Sequence, residues 1–188
     1  SGEPLSLNNK ECHFAYRESI FKNELNGRML ITSVVFRLSK IADVNVTYAP
    51  LAERAGSEGV PTPSRLADWV IEIRRSKLPD PDSFPNAGSF FKNPVISEAR
   101  FNHLRERYPD LPGFRSNEEV KIPAGWLIDR LGLKGKSFGG VKVHEKQALV
   151  LINQNGRGKD ILDAAKNIKD QVLQEYGIEL EQEPRIFT

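Results

Sequence analysis

With 188 residues the chain is long enough for one large domain or two small ones, and either can bury a core without staples. Hydrophobic content of 39% and charged content of 28% are ordinary for a globular protein, and 27 basic residues against 25 acidic ones leave a net charge of +2, which argues against a general nucleic-acid or polyanion partner. The lone Cys12 cannot make an intrachain disulfide, one cysteine with three scattered histidines offers no metal-ligand spacing, and no stretch approaches the roughly 20 apolar residues of a membrane span, so the expectation is a cytoplasmic protein without metal or membrane partner.

The chain opens on Ser1-Gly2-Glu3-Pro4, which lacks a basic and an apolar leader region. Without a methionine, this start resembles the scar of a removed tag, and a piece of a longer protein is expected. Residues 29 to 40, MLITSVVFRLSK, read as a half-buried strand that closes a sheet belonging to an earlier segment. Residues 41 to 61 show weak periodicity and two late glycines, which reads as a loop with short strand or helix pieces.

A helix is well marked after that. Thr62 can cap it, Pro63 suits its first turn, and Leu66, Trp69, Val70 and Ile73 recur at helical spacing up to a stop near Lys77. Four prolines between Leu78 and Pro94 forbid a long regular element there and predict a positioned loop. Ser97 starts a helix to about Arg107 with Phe101 and Leu104 as its buried pair, followed by a Pro/Gly-rich connection. Residues 124 to 132 read as a short helix closed by Gly132, and Gly139-Gly140 introduces a hairpin made of VKVHE and ALVLIN. Ile161, Leu162, Ala165, Ile168, Val172 and Tyr176 mark one face of a long helix that Gly177 ends, and IELEQEPRIF should return to the sheet as a strand. Helices and strands mix without strict alternation, so the fold class is α+β.

The most informative segment is Asn86-Ala87-Gly88-Ser89-Phe90-Phe91-Lys92-Asn93-Pro94. Turn chemistry alone accounts for it as a Gly-Ser turn followed by two core aromatics. Its functional reading is that Gly88 lets a ligand approach the backbone, Ser89 presents a hydroxyl, and Lys92 and Asn93 offer donors to an anionic or amide-bearing ligand. That set suits a sugar nucleotide.

NAGSFFKNP is similar to the signature of the UDP-N-acetylenolpyruvoylglucosamine reductase family. Further segments resemble that family too: CHFAYRESIFK at 12 to 22, KLPDP from Lys77, PAGWLID at 123 to 129 and FGGVKVHEKQALVLIN at 138 to 153. The resemblance covers nearly the whole chain. Tyr48 lies where the longer, type I members carry a substrate-loop tyrosine. Members of that form are considerably longer than this chain, which implies a C-terminal portion. Residues 1–40 would be the remnant of an FAD-binding domain of the vanillyl-alcohol-oxidase type, and residues 41–188 the substrate-binding domain.

The resemblance also assigns residues. Ser89 would be the catalytic proton donor and Arg17 the catalytic arginine facing the substrate carboxylate, a task that suits a planar guanidinium fork. Glu181 and Glu183 share strand parity, so periodicity cannot choose between them. The match of LEQEPR to the family pattern favours Glu183 as the third catalytic residue, with Gln182 and Pro184 departing from its flanks. Tyr48, Lys77, Asn93 and Gln147 align with positions that contact the UDP-sugar. His144, between strand residues, reads as structural, and Phe90, Phe91 and Trp126 as core.

The implied activity is NADPH-dependent reduction of UDP-N-acetylglucosamine enolpyruvate to UDP-N-acetylmuramate in peptidoglycan precursor synthesis, by a monomeric flavoenzyme. NADPH would reduce FAD, the flavin would pass hydride to the terminal enolpyruvyl carbon, Arg17 and Glu183 would stabilise the enolate-like species, and Ser89 would protonate carbon 2. The chain by itself would lack FAD and activity. The alternatives are a UDP-sugar-binding module without redox chemistry, and a structural protein with no nucleotide affinity.

Overall fold

The computed structural model describes residues 2–15 and 17–186. It divides into two units, Ser1–Ala42 and Asp43–Thr188.

The first unit is built from turns. Ala15 and Glu18 exchange both main-chain hydrogen bonds, at 3.0 and 3.2 Å, and the Ile20 N–H returns to the Cys12 carbonyl at 3.0 Å. The strand expected over residues 29–40 is not formed. Residues 29–39 have no ladder partner among the described residues, and Leu30, Val35, Phe36 and Leu38 are all more than three-quarters exposed. The composition is that of a strand, but an extended segment needs a neighbour to take its N–H and C=O groups.

The second unit begins with two helices, α1 (Ala49–Glu58) and α2 (Pro63–Lys77). The ten-residue α1 lies in the stretch expected to be a loop with short strand or helix pieces; Leu51 is its only buried residue, so there is no apolar stripe to mark its bounds. Charge ties it to α2 instead: Arg54 reaches Glu58 at 2.8 Å and Glu72 at 2.5 Å, and its guanidinium lies 4.9 Å from the Trp69 ring centroid. The Arg54 hydrogen bond, with that of Arg65, holds the Glu58 carboxyl below its usual range. Helix α2 follows its sequence signals, with the Thr62 hydroxyl accepting from the Arg65 N–H at 3.3 Å and Trp69 buried.

Two antiparallel sheets and three helices complete the unit. Strand β1 (Asn86–Ser89) sits inside the expected loop and pairs with β7 (Val150–Asn153); β6 (Val141–Val143) and β5 (Ser137–Phe138) follow, in the order β1-β7-β6-β5. The β6–β7 hairpin is the one that Gly139-Gly140 announces. The second sheet, β2-β4-β3, combines Val95–Ser97, Glu119–Lys121 and Phe114–Ser116. Its β3–β4 hairpin occupies the expected Pro/Gly-rich connection, turning at Asn117 with φ 55°. Three-residue strands are too short for alternation to betray them.

Helix α3 (Glu98–Arg107) is capped by Ser97 and buries Phe101, with Leu104 half-buried against the core. Helix α4 (Ala124–Arg130) and helix α5 (Gly158–Tyr176) lie where periodicity puts them, and α5 ends on Gly177 at φ 63°. Ala165, Ile168 and Val172 of α5 share the core with Leu127, Ile128, Val141 and Val143. The last expected strand is absent as a ladder: residues 178–186 make one isolated bridge, Phe91 to Gln182. Pro184 removes a main-chain donor from that segment, which works against extending the bridge into a ladder.

Candidate functional site

Ser89 stands at the end of β1, opposite Val150. Between Asn86, opposite Ile152, and Ser89 the register slips, with two residues of β1, Ala87 and Gly88, facing one of β7, Leu151. Gly88 absorbs this bulge at φ 72°, and its N–H donates to the Asn86 side-chain oxygen at 2.8 Å. A bulge re-aims the side chain that follows it, and Ser89 is exposed. Phe90 and Phe91 behind it are buried and meet edge to face, so the serine rests on a packed support.

The C-terminal segment runs beside this one. The Lys92 N–H donates to the Glu181 carbonyl at 2.8 Å and the Glu183 N–H to the Phe90 carbonyl at 2.9 Å, which places Glu183 next to the residue after Ser89. Of the two glutamates that periodicity leaves equivalent, Glu181 is hydrogen-bonded to the Lys92 ammonium. Asn93 turns inward: its Oδ1 accepts from the Ala124 N–H at 3.0 Å and caps α4, whose Pro123 N-cap has no side-chain acceptor. Of the two residues expected to offer donors from this motif, Lys92 is engaged through its ammonium and Asn93 through its side-chain oxygen.

Tyr48, Lys77 and Gln147 come together elsewhere. They line one cavity of about 320 Å³ with Leu51, Ile73 and Arg74. Tyr48 is the N-cap of α1 and Lys77 the last residue of α2, so the helix pair brings residues 29 positions apart into contact, with the Lys77 ammonium 2.7 Å from the Tyr48 hydroxyl. Gln147 enters from the β6–β7 turn, where His144 Nδ1 accepts the Gln147 and Lys146 N–H groups at 3.1 and 3.2 Å. His144 thus uses Nδ1 to hold the turn, which puts its ring proton on Nε2 in the neutral form. Sequence reasoning missed Arg74. It precedes Lys77 by three positions on α2, so the helical spacing puts both cations on one face. Ser89 is not in the lining of this cavity.

Arg17 belongs to the first unit, in the loop between Ala15 and Glu18, with φ 56°. A left-handed arginine is uncommon, and its carbonyl accepts from the Lys22 ammonium at 2.5 Å. Among the described residues no group of His, Cys, Asp or Glu could hold a metal ion, and no helix is long and apolar enough to cross a membrane.

Residues 80–187, from the loop before β1 to the C-terminal segment, match a family model described as UDP-N-acetylenolpyruvoylglucosamine reductase, C-terminal domain. The chain belongs to that family. It is 50% identical over 183 residues to the UDP-N-acetylenolpyruvoylglucosamine reductase of Aliivibrio fischeri, covering 97% of this chain and 52% of that protein. The enzyme of the same name from Chromobacterium violaceum is 46% identical over 192 residues, covering 100% of this chain and 56% of that protein. A crystal structure of UDP-N-acetylenolpyruvylglucosamine reductase from Thermus caldophilus is 26% identical, with a TM-score of 0.37 over 64% of this chain and 33% of that one. The chain thus spans about half the length of the curated relatives it matches.

Proposed function

We propose that this chain is the substrate-binding and proton-donating part of a UDP-N-acetylenolpyruvoylglucosamine reductase of the long, type I form, which makes UDP-N-acetylmuramate for peptidoglycan in the cytoplasm. The observation that carries the reading is the cavity in which Tyr48, Arg74, Lys77 and Gln147 converge over apolar walls. Two cations suit a diphosphate, a glutamine amide can read a uracil edge or an acetamido group, and the tyrosine ring gives a stacking surface. Residues 1–40 are read as the tail of the FAD-binding domain and residues 41–188 as the substrate-binding domain.

FAD and NADPH supply the reducing power in the complete protein. The glycines nearest a helix start do not fit a flavin pyrophosphate: the Gly156 N–H donates to Asn153 Oδ1 at 2.7 Å and the Arg157 N–H to Asp160 Oδ2 at 2.6 Å, which closes that N-terminus with its own side chains. The chemistry of this chain is therefore binding and protonation. Ser89 gives its hydroxyl proton to carbon 2 of the enolpyruvyl group, where the reduction leaves negative charge, and Arg17 and Glu183 stabilise the adjoining enolate.

Two measurements test this. Calorimetric titration of the chain with UDP-N-acetylglucosamine should show binding that Lys77→Ala weakens by at least tenfold; heats equal to those of buffer would remove the reading. In the complete enzyme, Ser89→Ala should lower turnover by about 10²- to 10⁴-fold with KM nearly unchanged. A raised KM with intact turnover would make Ser89 a binding residue only. A binding module without redox chemistry is excluded if the complete protein turns over the enolpyruvyl substrate.

A further inference from the structure

We propose that Lys92 is a positioning residue for Glu183, acting through Glu181. The proposal rests on the reading of Glu183 as a residue that meets the substrate.

The segment Glu181-Gln182-Glu183 has no ladder to hold it. It is attached by two main-chain hydrogen bonds, to Phe90 and Lys92, which form the single bridge at Phe91, and by Leu180, which is fully buried one residue earlier. Glu-Gln-Glu is degenerate under a two-residue shift, because each glutamate keeps its parity and its side of the segment. Either carboxylate could then stand beside Phe90. Burial of Leu180 opposes that shift from one end of the segment. Lys92 opposes it at the glutamates themselves: its side chain is 22% exposed, and its ammonium hydrogen-bonds Glu181, whose side chain is 70% exposed. A lysine whose N–H already bonds the Glu181 carbonyl holds the carboxylate of the same residue, and the chain direction then delivers the Glu183 N–H to the Phe90 carbonyl, beside Ser89.

This arrangement also explains how two carboxylates of like charge, two residues apart, receive different tasks. Glu181 is neutralised by Lys92, and Glu183 is placed at the serine.

Kinetics of the complete enzyme with Lys92→Gln, Glu181→Gln, the double variant and the exchange pair K92E/E181K provide the test. Each single variant should lower turnover by about fivefold, the scale of one partly exposed ion pair, with KM unchanged. The double variant should be no worse than either single one, Lys92→Arg should retain most of the rate, and the exchange pair should recover part of it. A rise in KM for Lys92→Gln with no effect of Glu181→Gln would overturn the proposal, since Lys92 would then touch the substrate. Amide hydrogen exchange in this chain gives a readout independent of catalysis: exchange at the Glu183 N–H should quicken about fivefold in Lys92→Gln. Unchanged exchange refutes the positioning role. Quickened exchange together with wild-type turnover of Glu183→Gln would instead refute the catalytic reading of Glu183 and leave the Lys92–Glu181 anchor intact.

Discussion

Replacing Gly88 by alanine tests the bulge that presents Ser89. A Cβ built at Gly88 meets nothing within 4 Å, so the substitution introduces no clash and its whole cost is the left-handed backbone at φ 72°. An L-residue pays about 1–2 kcal/mol for that conformation. Reduced freedom of the unfolded chain returns about 0.4–1 kcal/mol. The net expectation is a loss near 1 kcal/mol, or a fall in Tm of about 2–4 °C for a protein of this size. The functional effect should be larger. Strain can be relieved by flattening the bulge, which would break the Gly88 N–H bond to Asn86 and move Ser89 along β1. Misplacement by about 1 Å can cost 10²-fold in rate, so turnover of the complete enzyme should fall by at least tenfold. Gly88→Asn should be milder in both assays, because asparagine tolerates the left-handed region. Thermal melts paired with steady-state kinetics would decide it. Gly88→Ala with wild-type Tm and turnover would show that neither the bulge nor its glycine positions the serine.

Gly140 and Gly158 should respond to alanine with opposite signs in a urea unfolding series. At Gly140 the new Cβ would stand 2.7 Å from the Gly156 nitrogen and 2.8 Å from its Cα, so overpacking against backbone should cost about 1–3 kcal/mol. At Gly158, in the first turn of α5, nothing lies within 4 Å and helix propensity should add about 0.5 kcal/mol. Asn93→Ala should lose the cap of α4 at about 1 kcal/mol, whereas Asn93→Asp keeps the acceptor and should retain most of that stability; equal losses in thermal melts would show that the cap is not the role. Burial pushes the Tyr176 phenol from 10.0 up to about 12. The folded state thus keeps a proton that the unfolded chain gives up, so this contribution is complete below pH 10 and is lost as pH rises through about 12. Alkaline unfolding should be blunted in that window by Tyr176→Phe, and ultraviolet titration should find a tyrosine ionising in that range; four tyrosines ionising together near 10 would contradict it.

Helices α2, α3 and α5 were legible residue by residue, because their caps and apolar faces are local properties: Thr62 with Pro63, Ser97 three residues before Arg100, and Gly177 after a stripe from Ile161 to Tyr176. The motif around Ser89 was equally readable, since it is a run of nine adjacent residues. What only the tertiary structure decided is which partner each group finds. Residues 29–40 carry a strand's composition, yet pairing is a property of two segments, and the described chain supplies no second one. Helix α1 has one buried residue and is held by charges from α2 that lie up to 18 positions away. Asn93, expected to face a ligand, has its oxygen on Ala124, 31 residues on, because α4 begins at a proline without a cap of its own. Glu181 and Glu183 are alike in parity and chemistry, and it is Glu181 that Lys92, 89 positions earlier, binds. Propensity and periodicity belong to neighbours along the chain; hydrogen bonds and ion pairs over such separations exist only once the fold has brought their ends together.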